Sequence, residues 1–385
     1  MSLVYLVAGE ASGDVLGARL MAALAAARPQ LEFAGVGGPR MMLEGLASLF
    51  PMEELALMGL AEVLPRLLSV RRRLRETAAD IARRRPDVVV TIDSPGFTLR
   101  LLRRIRPLGI PRAHYVAPQA WAWREGRVRK FPGLWESLLC LLPFEPAFFA
   151  GHGLPARFVG HPVLESGADR GDGARFLALH GLAPTARVLV MMPGSRRSEV
   201  ARHLPVFGAA LGRLARRVPG LVPVMPVNAD LAPLVGAAVA DWPLRPLLLS
   251  DAGTKYDAFA AAAAALTKSG TSTLELALAG VPMVVTYRFH PLTAALARRL
   301  VRVRYASILN LLAERAVVPE LLQEHATGEE IAAALLPLLE GERAAAAQRE
   351  AFAPLLARLR APEGMPSQAA AAAVLALLAQ APAGG

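Results

Sequence analysis

The chain has 385 residues, 54% hydrophobic and 19% charged, with 32 Gly, 31 Pro and one Cys. That composition excludes a largely disordered or collagen-like protein, a disulfide framework and a cysteine-based zinc site. The net charge of +11, carried mainly by arginine, fits an anionic lipid surface or simply an arginine-rich proteome; nucleic acid is disfavoured, because the basic runs carry no interleaved aromatics and no recognisable binding module.

The length exceeds what one core ordinarily organises, so two domains of roughly 190 residues each are expected. The first residues, MSLVYLVAGEASGD, lack the basic and long apolar regions of a signal peptide, and no apolar run approaches the ~20 residues needed to span a bilayer. With Cys140 as the single cysteine, the expectation is a protein of the reducing cytoplasm, soluble or peripheral to a membrane.

Short β-rich segments alternate with helical patterns, as in parallel sheets wrapped by helices. Strands are predicted at 3–7, 32–36, 87–92, 112–116, 137–142 and 157–159, then at 187–192, 221–227, 247–250, 264–267 and 283–286. Two such series predict an α/β chain of two doubly wound, Rossmann-like domains. Residues 160–173, with His161-Pro162 and a Gly/Asp-rich stretch, read as the linker. The boundary is placed near 165, the second domain at 166–345, and an alanine-rich helical tail at 346–385. That tail either packs back on the first domain or covers the second.

The first strand runs into AGEASGD at 8–14, where small residues and free N–H groups suit a close ligand, although a tight turn capped by Ser12 or Asp14 explains them equally. The spacing is not GxGxxG, so a dinucleotide site is disfavoured. GVGGPRM at 35–41 is a second glycine-rich loop after a strand. Residues 55–75 place Met58, Leu68 and Arg72 in helical spacing, an apolar face beside a cationic one, suited to a membrane surface, to acyl chains, or to covering the sheet. Pro65 predicts a break in that run. TIDSPGF at 91–97 puts Asp93 just past a β-branched run, as a proton acceptor or as a helix cap. YVAPQAWAWREGRVRK at 115–130 gathers Gln119, two tryptophans and four basic side chains, suited to a sugar or to a packed interface.

In the second half, MMPGSRRSEV at 191–200 and KSGTSTLELALAGVP at 268–282 each end a strand and begin a helix, giving two N–H clusters that suit a diphosphate. Arg196 adds a fixed positive charge for a leaving diphosphate, and Glu275, one turn into its helix, suits a vicinal diol such as ribose. Two unrelated helix caps are the alternative. HExxH, a DxD loop and a histidine cluster are all absent, so metal-free chemistry is expected. His161 reads as a structural hinge residue rather than a base.

The ordered set AGEASGD, GVGGPRM, EELALMGLAEVLP, IDSP, YVAPQAWAWR, LPFEP, FVGHP, PGSRRSEV, SGTSTLE and NLLAE closely resembles the lipid-A-disaccharide synthase family over residues 3 to about 325. The resemblance implies a GT-B architecture with two domains facing a central cleft, and an inverting transfer without metal or other cofactor. It implies UDP-2,3-diacylglucosamine as donor, 2,3-diacylglucosamine 1-phosphate (lipid X) as acceptor, and work at the cytoplasmic face of the inner membrane. Asp93 then deprotonates or orients the acceptor 6-hydroxyl and Arg196 meets the UDP phosphates. Ser195, Glu199, Ser269, Gly270, Thr271, Glu275 and Asn310 bind the UDP-sugar. Ser12, Gly13 and Gln119, with Met58, Leu68 and Arg72, lie on the acceptor and lipid side. Gly96 stands where relatives often carry a second aspartate, and Glu314 where a glycine is common. A UDP-sugar 2-epimerase, a lipid II-forming transferase and a non-catalytic lipid or nucleotide binder are the competing readings.

Overall fold

The computed structural model describes residues 2–55, 63–123, 125–289 and 303–380. The chain forms two compact units, a first of Met1–Pro162 with Leu359–Gly385 and a second of Val163–Arg358.

The first unit is built on a seven-stranded parallel sheet. Its strands are β1 (Leu3–Ala8), β2 (Glu32–Val36), β3 (Ala47–Ser48), β4 (Val88–Ile92), β5 (Arg112–Tyr115), β6 (Ser137–Cys140) and β7 (Ala156–Phe158). Their order is β3-β2-β1-β4-β5-β6-β7. The run VVVTI of β4 is buried along its whole length, as expected of a strand covered on both faces. Alternation along β1 sends Tyr5 and Val7 into one core and Val4, Leu6 and Ala8 into the core on the opposite face. The helix Ala11–Ala27 covers that second face beside the helix Pro366–Gln380, whose Ala370, Ala373, Val374 and Leu377 join the same core. The helix Val63–Arg84 includes Pro65; the residues at 56–62, where a proline break would fall, lie outside the described residues.

The second unit holds a six-stranded parallel sheet. Its strands are β8 (Arg187–Met192), β9 (Leu221–Pro226), β10 (Leu247–Leu249), β11 (Ala262–Lys268), β12 (Met283–Tyr287) and β13 (Glu320–Leu322), in the order β10-β9-β8-β11-β12-β13. The helices Arg197–Leu214 and Gly328–Glu340 lie together on one face. Gly328 permits their approach, since a Cβ there would stand 2.5 Å from that of Ala209.

The division between the units falls at 162/163 and 358/359, against expected boundaries near 165 and 345. Hydrogen bonds explain the later return. The buried side chain of Gln348 accepts from the Met283 N–H at 2.8 Å and donates to the Met283 carbonyl at 3.2 Å. Arg358 donates to the Leu312 carbonyl. The helix Glu342–Ala357 is thereby tied to β12 and its surroundings. In the first unit, the His161 N–H donates to the Leu359 carbonyl at 2.8 Å. His161 is buried, which pulls its imidazole down to about 3 and keeps it neutral. Among the described residues no helix is long and apolar enough to cross a membrane.

Candidate active site

In an open parallel sheet the crevice beyond the carboxyl ends of two strands whose connections run in opposite directions is the natural ligand position. The strand orders place that point between β1 and β4 in the first unit and between β8 and β11 in the second. The segments following those four strands are AGEASGD, TIDSPGF, PGSRRSEV and KSGTSTLE.

In the first unit Asp93 and Ser94 hold φ at +50° and +45°, two successive left-handed residues directly after β4. Such a turn costs non-glycine residues of order 1–3 kcal/mol each, and the neighbours hold it in place. The Asp93 N–H donates to the Tyr115 carbonyl at 2.9 Å, and the Thr98 hydroxyl donates to the Asp93 and Ser94 carbonyls at 2.7 and 3.0 Å. Gly9 completes the fit, because a Cβ there would lie 2.5 Å from the Ser94 hydroxyl oxygen. Asp93 ends half-buried at this junction.

The other first-unit candidates differ in what they present. Ser12 is exposed in the first turn of its helix, while Gly13 is buried against Ala8 and Ile92. Asp14 does not cap its own helix. Its carboxylate accepts from the N–H groups of Gly38, Arg40 and Met41 at 2.9–3.0 Å, which spends the GVGGPRM donors on the fold. Gln119 is exposed after β5. Trp121 is bound within the unit: its indole N–H donates to Glu145 at 3.1 Å, and its ring meets Phe144 edge-on at 4.9 Å. The buried Glu145 also accepts from the Leu141 and Leu142 N–H groups. Burial nevertheless pushes its carboxyl up to about 7. Leu68 and Arg72 are exposed on the helix Val63–Arg84; Met58 lies outside the described residues.

In the second unit Gly194, at φ +138°, lets the chain pass Glu199, whose carboxylate a Cβ would strike at 2.7 Å. Glu199 reaches back to the Ser195 N–H at 3.3 Å and receives Lys268 Nζ at 3.3 Å. One of the N–H groups expected to face an anion is thus held by an internal carboxylate. Arg196 is exposed at the start of the helix Arg197–Leu214. Ser269 donates its hydroxyl to the Ala306 carbonyl at 2.7 Å, while Gly270 (φ +153°) and exposed Thr271 lead into the helix Ser272–Leu278.

Asn310 is 0% exposed. Its amide nitrogen donates to the Val318 carbonyl and Glu320 at 2.9 and 2.7 Å, and its oxygen accepts from the Val317 and Val318 N–H groups. Both ends of the amide are therefore spent on the 317–320 segment, so Asn310 shapes the loop near Ser269 rather than offering an amide to a ligand. Glu320 in turn accepts from the Ala306 and Ser307 N–H groups, each at 2.8 Å.

Three second-unit partners escaped the sequence reading. Lys268 faces Glu199; Lys255 and Tyr256 bind Glu275 at 2.7 and 3.0 Å. A fourth, His203, has Nδ1 2.7 Å from the Pro193 carbonyl, and its Nε2 accepts from the Arg288 N–H at 3.2 Å. Burial lowers its pKa, and those two bonds fit a neutral imidazole protonated on Nδ1. It joins the 193–199 turn to the end of β12. Its only sequence signal is its place two helical turns beyond Arg196. Among the described residues no three His, Cys, Asp or Glu side chains gather as a metal site.

Two parallel, doubly wound α/β units in one chain define a GT-B-type protein. The chain belongs to the lipid-A-disaccharide synthetase family, whose model matches residues 4–373. The lipid-A-disaccharide synthase of Granulibacter bethesdensis is 58% identical to it, covering 98% of this chain and 99% of its own. That of Gluconobacter oxydans is 56% identical, covering 98% and 91%. Among solved structures, the UDP-GlcNAc 2-epimerase of Neisseria meningitidis bound to UDP-GlcNAc matches with a TM-score of 0.65 over 99% of this chain and 100% of its own. At 12% identity that likeness is one of fold.

Proposed function

We infer that this chain is an inverting glycosyltransferase of lipid A synthesis. It transfers 2,3-diacylglucosamine from UDP-2,3-diacylglucosamine to the 6-hydroxyl of 2,3-diacylglucosamine 1-phosphate, lipid X. The products are the β-1,6-linked disaccharide 1-phosphate and UDP. The observation that carries the reading is the placement of Asp93 and of the Ser195–Glu199 and Ser269–Glu275 segments at the switch points of their own sheets, within a family of this name.

The acceptor oxygen attacks the donor anomeric carbon from the face opposite UDP, and its proton passes to the Asp93 carboxylate. As the new C–O bond forms, the bond from that carbon to the phosphate oxygen breaks. The charge left on UDP meets Arg196 and the N–H groups of Gly270 and Thr271, the Ser269 N–H being held by the Thr286 carbonyl at 3.1 Å. Glu275 takes the ribose. Ser195 and Glu199 shape the phosphate turn, with Asn310 holding the loop beside Ser269. Ser12, Gly13 and Gln119 border the acceptor, while the segment bearing Met58, Leu68 and Arg72 meets lipid at the cytoplasmic face of the inner membrane.

Purified protein supplied with both acylated substrates should release UDP. Asp93→Asn should lower turnover by roughly 10²–10⁴-fold while leaving UDP affinity within about threefold of wild type. Wild-type levels of turnover in that variant would remove Asp93 from the mechanism. Turnover of the UDP-sugar without acceptor would favour an epimerase.

A further inference from the structure

The Glu275 carboxylate is held from two directions by one neighbouring helix. Lys255 Nζ lies 2.7 Å from Oε2 and the Tyr256 hydroxyl 3.0 Å from Oε1. Both donors come from consecutive residues of the helix Ala252–Ala260. Asp251 fixes the start of that helix by accepting the Thr254 N–H at 2.9 Å. The lysine is constrained in turn, with its ammonium 5.1 Å from the centre of the Tyr256 ring and 5.5 Å from that of Phe259. Lys255 and Glu275 retain 22% and 17% side-chain exposure, so the pair is partly sheltered yet open to a ligand.

A carboxylate has about four lone-pair sites. Lys255 takes one on Oε2 and Tyr256 one on Oε1, which among the described residues leaves one acceptor site on each oxygen. Two acceptor sites, one on each of two adjacent oxygens, match the paired hydroxyls of a cis-vicinal diol. A freely rotating glutamate would meet such a diol only after losing rotamer freedom; here that ordering is already done by the fold.

We propose that Lys255 and Tyr256 are positioning residues that preset Glu275 to read both ribose hydroxyls, making the second unit selective for ribo- over 2′-deoxyribonucleotides. The proposal rests on the reading of Glu275 as the ribose ligand. A purely structural tie between the two helices would stabilise the unit without affecting that discrimination.

Calorimetric titration of the full chain with UDP and with 2′-deoxy-UDP separates these cases. Wild type should favour UDP by about tenfold or more, the scale of a hydrogen bond to a charged group. Tyr256→Phe and Lys255→Met should each cut the preference to within about threefold, and Lys255→Arg should restore most of it. If both variants keep the full preference while Glu275→Gln loses it, the positioning role falls and the ribose reading stands. If Glu275→Gln keeps the preference, the ribose reading fails and the proposal with it. Equal weakening of both nucleotides in the variants would leave only a structural tie and overturn the proposal. Tyr256→Phe removes a single oxygen, so it keeps the test usable should Lys255→Met fail to fold.

Discussion

At the residue scale, Glu314 closes the helix Ile308–Ala313 with φ at +54°, the left-handed region that costs a side chain roughly 1–2 kcal/mol and glycine little. Glu314→Gly should therefore stabilise the second unit by about 0.5–1 kcal/mol after the extra chain entropy of glycine, seen as a higher urea midpoint; a lower one would mean the glutamate makes a contact that offsets its strain. Glu145 offers a pH test. Its carboxyl is raised from 4.5 to about 7 by burial, so its contribution to stability is full below about 4.5 and is lost as pH rises through 7. Glu145→Gln should flatten that part of the stability profile. It should also abolish a fluorescence change of Trp121, its bonded neighbour, with a midpoint near 7. The positions of Asp93, Ser195 and Ser269 were legible because strand ends were. The partners of Glu199 and Glu275 were not, since Lys268 stands 69 residues from the one and Lys255 stands 20 from the other, and local spacing carries no record of such pairs.

At the scale of elements, the long apolar runs were plain: VVVTI and RVLVMM announce β4 and β8. The two-residue β3 and the three-residue β13 went unread, although β7 and β10, each of three residues, were placed. The tail is a different case. Its alanine-rich helices carry weak apolar faces, so which sheet each one covers is settled by partners distant in sequence: Gln348 bonds Met283 in the second unit, while Val374 enters the core shared with Leu20 and Leu24 in the first. Val374 is fully buried, and Val374→Asp would place an unpaired carboxylate there. The expected cost is more than about 3 kcal/mol to the first unit, with proteolytic cleavage appearing first within residues 1–162. Cleavage unchanged from wild type would mean the helix Pro366–Gln380 contributes little to that core.

For the molecule as a whole, the surplus of 11 positive charges needs a location before it argues for a partner. On the helix Val63–Arg84, Leu68, Arg71, Arg72 and Arg75 are all exposed. They fall at i, i+3, i+4 and i+7, a single helical stripe. The apolar side chains Val70 and Leu74 instead pack against the first core. Arg73 is drawn off by Glu54 and Glu76 at 2.5 and 2.6 Å. Among the described side chains, this stripe thus presents three guanidinium groups around one leucine that is 70% exposed. Such a face adheres to anionic headgroups by charge rather than by deep insertion, at about 1 kcal/mol for each arginine near the surface. Replacing Arg71, Arg72 and Arg75 together by glutamine should lower partition onto phosphatidylglycerol vesicles at least tenfold at low ionic strength. Wild type should lose a comparable amount when salt shortens the screening length. If wild type bound neutral phosphatidylcholine vesicles equally well, or the triple variant kept its binding, the contact would be apolar and this stripe would not make it.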